Sequence, residues 1–398
     1  MALTEPLAST EIDHITEIRH DLHAHPELGY EEHRTSAVVQ RELSDAGIDF
    51  VPGLAGGTGV AGYLPATLNP ASAKTVALRA DMDCLPIHEA TGAAYASTSP
   101  GKMHACGHDG HTSILIGAAR RLAKTVERPN NVLFVFQPAE EGGAGGKRLC
   151  EEGVVSGKVI GKPADMIFGL HGFSFLKVGQ IATCTGPMLA AADWFTIEVR
   201  GRGGHAAMPN AGVDPIVVAS HIVTALQSIA SRNVSPLDSI VVTIGIIQAG
   251  TAHNIIPDTA SMVGTLRTLR QETRELGARR IEEICKNVAA AFGASAEIDF
   301  TYGYPVTEND PVATRRLRSV LSEAMPGALA PDDVQPVMGG EDFSFYGRHV
   351  PACFYWLGLL NEGQERYPNL HAPDFDFNDK ALPVGIDAMC ALALAPLT

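Results

Sequence analysis

The sequence contains no run of lysine or arginine, and its 45 acidic residues outnumber 30 basic ones, for a formal net charge of −15. Nucleic-acid binders display basic patches, so this balance argues against a broad phosphate-binding surface. Long apolar runs are missing too. The richest, "AMCALALAPLT", follows Asp387 and falls well short of the roughly 20 residues that span a bilayer. The opening "MALTEPLASTEIDH" has no basic segment followed by an apolar core, so no secretory signal is expected and a cytoplasmic location is. The seven cysteines (84, 106, 150, 184, 285, 353, 390) are odd in number and lack CxxC spacing, which argues against a disulfide framework. Most are expected to be buried small hydrophobes. Cys106 has neighbours that suggest otherwise.

Two nucleotide readings also fail. In "EEGGAGGKR" the Gly146-Lys147 pair is followed by Arg148, and Glu141 stands where a P-loop needs glycine. "GRGGHA" matches G-x-G-x-x-A, but no acid between Asp214 and Asp238 is available to hold a ribose about 20 residues on.

A chain of 398 residues exceeds what one compact core usually holds, so two domains are expected. Ile12, Ile15, Ile18 and Leu22 recur at helical spacing, the pattern breaks at "HPELG", and a second helical run ends at Gly47. Short apolar runs follow ("GVAGYL", "TVALRA", "NVLFVF", "DMIFGLHG"), alternating with helical stretches such as "HTSILIGAARRLAK". That alternation predicts an α/β domain with a largely parallel buried sheet and ligands beyond its carboxyl ends. From about residue 186 the order becomes strand, helix, two strands, helix, strand, as in a small ferredoxin-like α+β sandwich. The α/β texture resumes after about residue 300. The expected organisation is therefore 1–185 and 301–398 as one domain, with 186–300 inserted.

Metal-capable residues cluster at the predicted strand ends and, for Cys106 and His108, just before a helix. "RADMDCLP" carries Asp81 and Asp83, "MHACGHDGHTS" carries His104, Cys106, His108, Asp109 and His111, and "FQPAEEGG" carries Glu140 and Glu141. "GLHG" adds His171, and "NLHAPDF" adds His371 from a distant loop. Any one alone reads as structural; together they point to a metal site. The adjacent acids add to this, because successive loop residues can aim one carboxylate at a metal and the other at its water.

The motifs "MHACGHDGHTS", "FQPAEEGGAGG", "GLHG", "GRGGHAAMPN", "AHNIIPDTA", "GTLRT", "GGEDFSFY" and "NLHAP" together resemble the hippurate hydrolase and indole-acetyl-amino-acid hydrolase group of metal-dependent amidohydrolases. The resemblance runs in order from "RHDLHAHPELGYEE" to the last helix. It implies a zinc-exopeptidase-like catalytic domain with an inserted dimerisation, or lid, domain. It further implies two divalent ions per subunit, zinc or manganese, with cobalt or nickel as options, held by Cys106, His108, Glu141, His171 and His371. Glu140 matches the general base. Relatives outside the group have a ligand histidine where this chain has Asp81, so Cys106 is expected to compensate as a bridging ligand. Asp83 and Asp109 are expected to orient imidazoles, while His111 is expected to cap or pack. His205, reaching the partner subunit's site, matches an oxyanion donor, and Asn254 and Arg267 match groups that bind the substrate carboxylate. The implied activity is hydrolysis of N-acyl or N-aroyl amino acids such as hippurate by a homodimer or higher homo-oligomer, with no nucleic-acid or membrane partner. A dipeptidase or carboxypeptidase with the same centre, or a non-catalytic metal-binding dimer, is the alternative.

Overall fold

The computed structural model describes residues 7–331 and 334–397. Two helices open it, α1 (Ser9–Ala24) and α2 (His33–Asp45). Ile15, Ile18 and Leu22 form the buried stripe of α1. After α2, Gly47 takes φ +68, which lets the Ile48 N–H reach the Leu43 carbonyl at 3.0 Å and stops the helix.

Strands and helices then alternate: β1 (Asp49–Leu54), β2 (Gly59–Leu64), β3 (Thr75–Asp81), α3 (His108–Lys124), β4 (Asn131–Gln137), α4 (Gly145–Glu152), β5 (Met166–Lys177) and β6 (Ile181–Ala182). A second series follows: β7 (Ala191–Arg200), α5 (Pro215–Leu226), β8 (Ile240–Ala249), β9 (Thr259–Thr268), α6 (Gln271–Ala291) and β10 (Ser295–Tyr304). The chain ends through α7 (Pro311–Ala324), β11 (Ala352–Leu360) and α8 (Leu382–Leu394). It divides into two compact units, one of residues 1–186, 308–335 and 342–398, the other of residues 187–307 and 336–341.

The first unit holds a seven-stranded sheet in the order β1-β2-β4-β3-β5-β11-β6. Only its centre, β4-β3-β5-β11, is parallel. The expected largely parallel sheet is thus corrected at both edges, where β1, β2 and β6 run antiparallel to their neighbours. Four residues join β1 to β2, which suffices for a hairpin but not for a parallel crossover. β3 and β4 are buried along their whole length, as expected of strands covered on both faces. Leu115 and Leu122 of α3 and Ile386, Met389 and Cys390 of α8 belong to the same core as Leu78 and Phe134 of the sheet.

In the second unit the antiparallel order β8-β9-β7-β10 with two helices is ferredoxin-like. Val218 and Ile222 of α5 and Ile281 and Cys285 of α6 share a core with Phe195, Ile197 and Met262 of the sheet. All seven cysteines are free and buried. Among the described residues no helix is long and apolar enough to cross a membrane.

Candidate active site

Strand order sets three carboxyl ends side by side in the first unit. Asp81 at the end of β3 pairs with Gln137 at the end of β4, and β5, carrying His171, flanks β3 on its other side. Loops leaving adjacent parallel strands converge, and here they meet the start of α3 at His108. Ligand atoms of Cys106, His108 and His171 lie within 4.8 Å of one another, as do those of Cys106, Glu141 and His371 and those of His108, Glu140 and Glu141. Six residues expected at the site therefore form one cluster. His371 is its most open member, with 53% of its side chain exposed.

Each imidazole of the cluster is aimed by a bond elsewhere on its residue. Gly107 has φ +85, and a Cβ there would come within 2.9 Å of Phe377, so the "CGH" turn requires glycine. His108 Nδ1 donates to the Asp83 carbonyl at 2.9 Å and to Asp83 Oδ1 at 3.2 Å. Its Nε2 is left facing the cluster, buried and without a hydrogen bond, 3.8 Å from Asp81 Oδ2. His171 Nδ1 donates to the Gly172 carbonyl at 2.8 Å, which leaves Nε2 at 3.3 Å from Cys106 Sγ. His371 is left-handed at φ +64, and its N–H is tied to the Ala105 carbonyl at 2.8 Å, next to Cys106.

The electrostatics call for a cation. Burial, followed by Glu141 and Glu140, pushes the Cys106 thiol well above its usual range. Burial opposes protonation of His108, but Asp81 and Asp83 outweigh it and raise this residue to about 10. Burial and the neighbouring His111 push His171 well down, keeping its lone pair available. Glu141 Oε1 is buried 3.3 Å from His371 Nε2, while His108 Nε2 makes no hydrogen bond. A buried imidazole nitrogen with no hydrogen bond, within a mixed set of thiol, imidazole and carboxylate groups, fits divalent metal.

Asp83 organises the adjacent acids. Its Oδ1 accepts the Glu140 N–H at 3.0 Å and its Oδ2 the Glu141 N–H at 2.9 Å, while the preceding Ala139 is left-handed at φ +52. Asp83 thus holds both His108, an imidazole of the cluster, and the main chain of the acid pair. Asp109 instead holds His23: its Oδ2 meets His23 Nδ1 at 2.9 Å and Arg19 Nη1 at 3.3 Å, both on α1, which packs against α3. His111 is fully engaged, Nδ1 donating to Asp81 at 2.7 Å and Nε2 accepting the Gly172 N–H at 2.9 Å. Asp81 also accepts from Arg79 at 2.6 Å, so both its oxygens are taken. His104 is fully buried with neither ring nitrogen partnered, and burial pushes it down to about 4.

A model of the peptidase family M20/M25/M40 matches residues 77–395. The chain belongs to that family. It is therefore a hydrolase of the M20 metallopeptidase and amidohydrolase class. It is 39% identical over 386 residues to the Arabidopsis thaliana IAA-amino acid hydrolase ILR1-like 4, covering 96% of this chain and 85% of the relative. It is 38% identical over 383 residues to the Bacillus subtilis N-acetylcysteine deacetylase, covering 96% of both. Among solved structures, a Bacillus subtilis protein described as a dinuclear metal binding peptidase from the M20 family superposes with a TM-score of 0.83 at 33% identity, over 97% of this chain and 98% of the other.

The second unit of this M20 chain carries the remaining expected residues. His205 is exposed in the short strand Gly204–His205, which pairs with Ile255–Ile256, and the Ala206 N–H donates to the Asn254 carbonyl at 3.1 Å. His205 and Asn254 are thus neighbours. Arg267 lies on β9, where its Nη1 reaches the Asp193 carbonyl at 3.3 Å and the Thr265 hydroxyl. Sequence reasoning missed Arg79, fully buried, which donates to Asp81, to Gln137 at 2.9 Å and to Asp342 at 2.9 Å. An arginine inside the apolar run "TVALRA" was the available signal, since a guanidinium in a covered strand needs carboxylate partners.

Proposed function

We propose that the chain hydrolyses the amide bond of N-acyl amino acids, aroyl conjugates such as hippurate included, to a carboxylic acid and a free amino acid. The observation that carries this reading is the pair Glu140 and Glu141, successive carboxylates turned by Ala139 and clamped by Asp83 beside Cys106, His108, His171 and His371. Relatives named for IAA-amino acids, N-acetylcysteine and N-acetyldiaminopimelate support the substrate class. Cys106, His108, Glu141, His171 and His371 would hold two divalent ions. The mixed donor set suits zinc or manganese, with cobalt or nickel as further options. Such ions, when bound, polarise an amide carbonyl and acidify water. Glu140 takes a proton from water on its carboxylate and delivers it to the leaving nitrogen, a role that contributes roughly 10²- to 10⁴-fold in rate. Asp83 keeps His108 oriented through Nδ1 and fixes the Glu140 main chain.

In the same reading the second unit joins two copies and supplies His205 as an oxyanion donor to the partner's site, while Asn254 and Arg267 bind the substrate carboxylate. β8 supports a joining role: it is a sheet edge with Val241, Ile246 and Ile247 exposed. The test is hydrolysis of an N-acyl amino acid panel, with hippurate, N-acetyl-L-cysteine and simple dipeptides, by protein stripped of metal and reloaded with each ion. Turnover of dipeptides but not of acyl amino acids would refute the substrate class. Glu140→Gln should keep metal and lose kcat by roughly 10²- to 10⁴-fold, whereas Glu141→Gln should lose metal. The opposite pattern reverses the two roles.

A further inference from the structure

Three successive peptide N–H groups, those of residues 139, 140 and 141, each end on a buried carboxylate oxygen. Asp83 takes the last two. The first, from Ala139, donates to Glu32 Oε1 at 2.8 Å. Glu32 is fully buried, and its Oε2 accepts the Thr58 hydroxyl at 2.7 Å. Its carboxylate is therefore held between a hydroxyl from the β1–β2 hairpin and the one peptide whose conformation decides where the two acids point. Ala139, at φ +52, occupies a region that residues with a Cβ adopt only when their surroundings hold them there. The same segment closes on the turn at two more points. A Cβ at Gly29 would lie 3.0 Å from the Ala139 Cβ, and the Tyr30 hydroxyl donates to the Gly143 carbonyl. Residues 29–32 precede the stretch that the family model matches.

We propose that Glu32 is a positioning residue for Glu140: by capturing the Ala139 N–H it fixes the left-handed turn that aims the proton-carrying carboxylate. This rests on the reading of Glu140 as the base. Glu32 touches no reacting atom. It acts through the peptide, and the hairpin Thr58 fixes its second oxygen. Without the acceptor, the Ala139 N–H is buried and unpaired and the turn relaxes towards a right-handed or extended conformation, which swings Glu140 away from its place. Metal occupancy survives this change, because the Glu141 N–H stays bonded to Asp83 Oδ2 at 2.9 Å and the other ligands, Cys106, His108, His171 and His371, come from other segments.

The experiment measures metal content, KM and kcat per bound metal on the fastest substrate of the panel. The variants are Glu32→Ala and Glu32→Gln, each in the wild-type and the Glu140→Gln background. Displacement of a reacting group by about an ångström costs up to about 10²-fold, so Glu32→Ala should lower kcat per metal by about 10- to 100-fold with KM nearly unchanged. Glu32→Gln should restore most of it, since the amide oxygen accepts the Ala139 N–H and the amide nitrogen donates to Thr58. In the Glu140→Gln background the alanine variant should cost less than about twofold, because the loss runs through Glu140. An equal loss in both backgrounds, a loss of metal with kcat per metal preserved, or glutamine no better than alanine would each overturn the proposal. If Glu32→Ala does not fold, the isosteric Thr58→Val takes its place: a several-fold fall in kcat confined to the Glu140 background supports the role, and no fall overturns it. Full activity of Glu140→Gln alone would remove the base reading and this proposal with it, whereas a failure of Glu32 alone leaves the base in place.

Discussion

Asp83→Asn changes one atom of the first unit, and its consequences can be worked out bond by bond. In the native site both oxygens face donors only: Oδ1 meets Glu140 N–H and His108 Nδ1, and Oδ2 meets Glu141 N–H. An asparagine amide cannot serve all three. The less costly orientation keeps its oxygen at the Oδ1 position and turns NH₂ against the Glu141 N–H, leaving a buried donor unpaired at a cost of about 1–3 kcal/mol. His108 then donates to a neutral oxygen, and loss of such a carboxylate partner typically weakens metal binding by about 10- to 100-fold, or about 1.4–2.8 kcal/mol. The assay is competition for zinc or manganese against a chromophoric chelator, with turnover measured at saturating metal. Metal affinity should fall by 10- to 100-fold, by the same estimate, while saturating metal restores much of the turnover. An affinity within twofold of wild type, in a variant whose thermal midpoint is also unchanged, would refute the idea that this carboxylate aims His108 and the acid pair.

Chelation should raise the alkylation rate of Cys106, because the ion that occupies the thiolate also shields it. Unchanged alkylation, together with full metal content in Cys106→Ser, would remove Cys106 from the ligand set. His23 offers a pH test. Burial disfavours its charge, but Asp109 and Glu89 outweigh this and raise it to about 10. A raised folded-state value stabilises the fold fully below the unfolded value of about 6.5, and that contribution is lost as pH climbs towards 10. The stability gap between wild type and His23→Gln should therefore be widest near pH 6 and close by about pH 10; a gap that widens with pH contradicts the assignment. Arg267→Ala should chiefly raise KM for substrates with a free α-carboxylate and spare the matching amides, whereas His205→Ala should lower kcat by roughly 10²- to 10³-fold. If His205 acts across a dimer, exchanging Glu140→Gln subunits with His205→Ala subunits should regenerate activity. Proven exchange without recovery would end the trans role.

The chain's own sequence determined its element types and its stock of reactive groups. Helical spacing of Ile15, Ile18 and Leu22, the apolar runs that became β3, β4 and β5, and the strand-helix order of the second unit are local patterns that report burial and backbone period. Cys106, His108, the adjacent Glu140 and Glu141, and His171 could be placed at the site because each follows or precedes such a run by a few residues. Only the tertiary structure decided which charges meet. Strand order set β3 between β4 and β5, so Asp83 came under Glu140 and Glu141 from 57 and 58 residues away. Arg79 found Asp342 across 263 residues. Asp109 turned to His23 on α1 rather than to a ligand, and Glu32 reached Ala139 across 107 residues. Edge strand β1 ran antiparallel to β2 because the four-residue connection between them cannot cross over, whatever the apolar pattern of the strands it joins. A carboxylate buried without a partner is costly, so every such group must be paired, but periodicity along the chain carries no information about which distant donor will be brought within 3 Å; that is fixed by the order in which the strands are laid down.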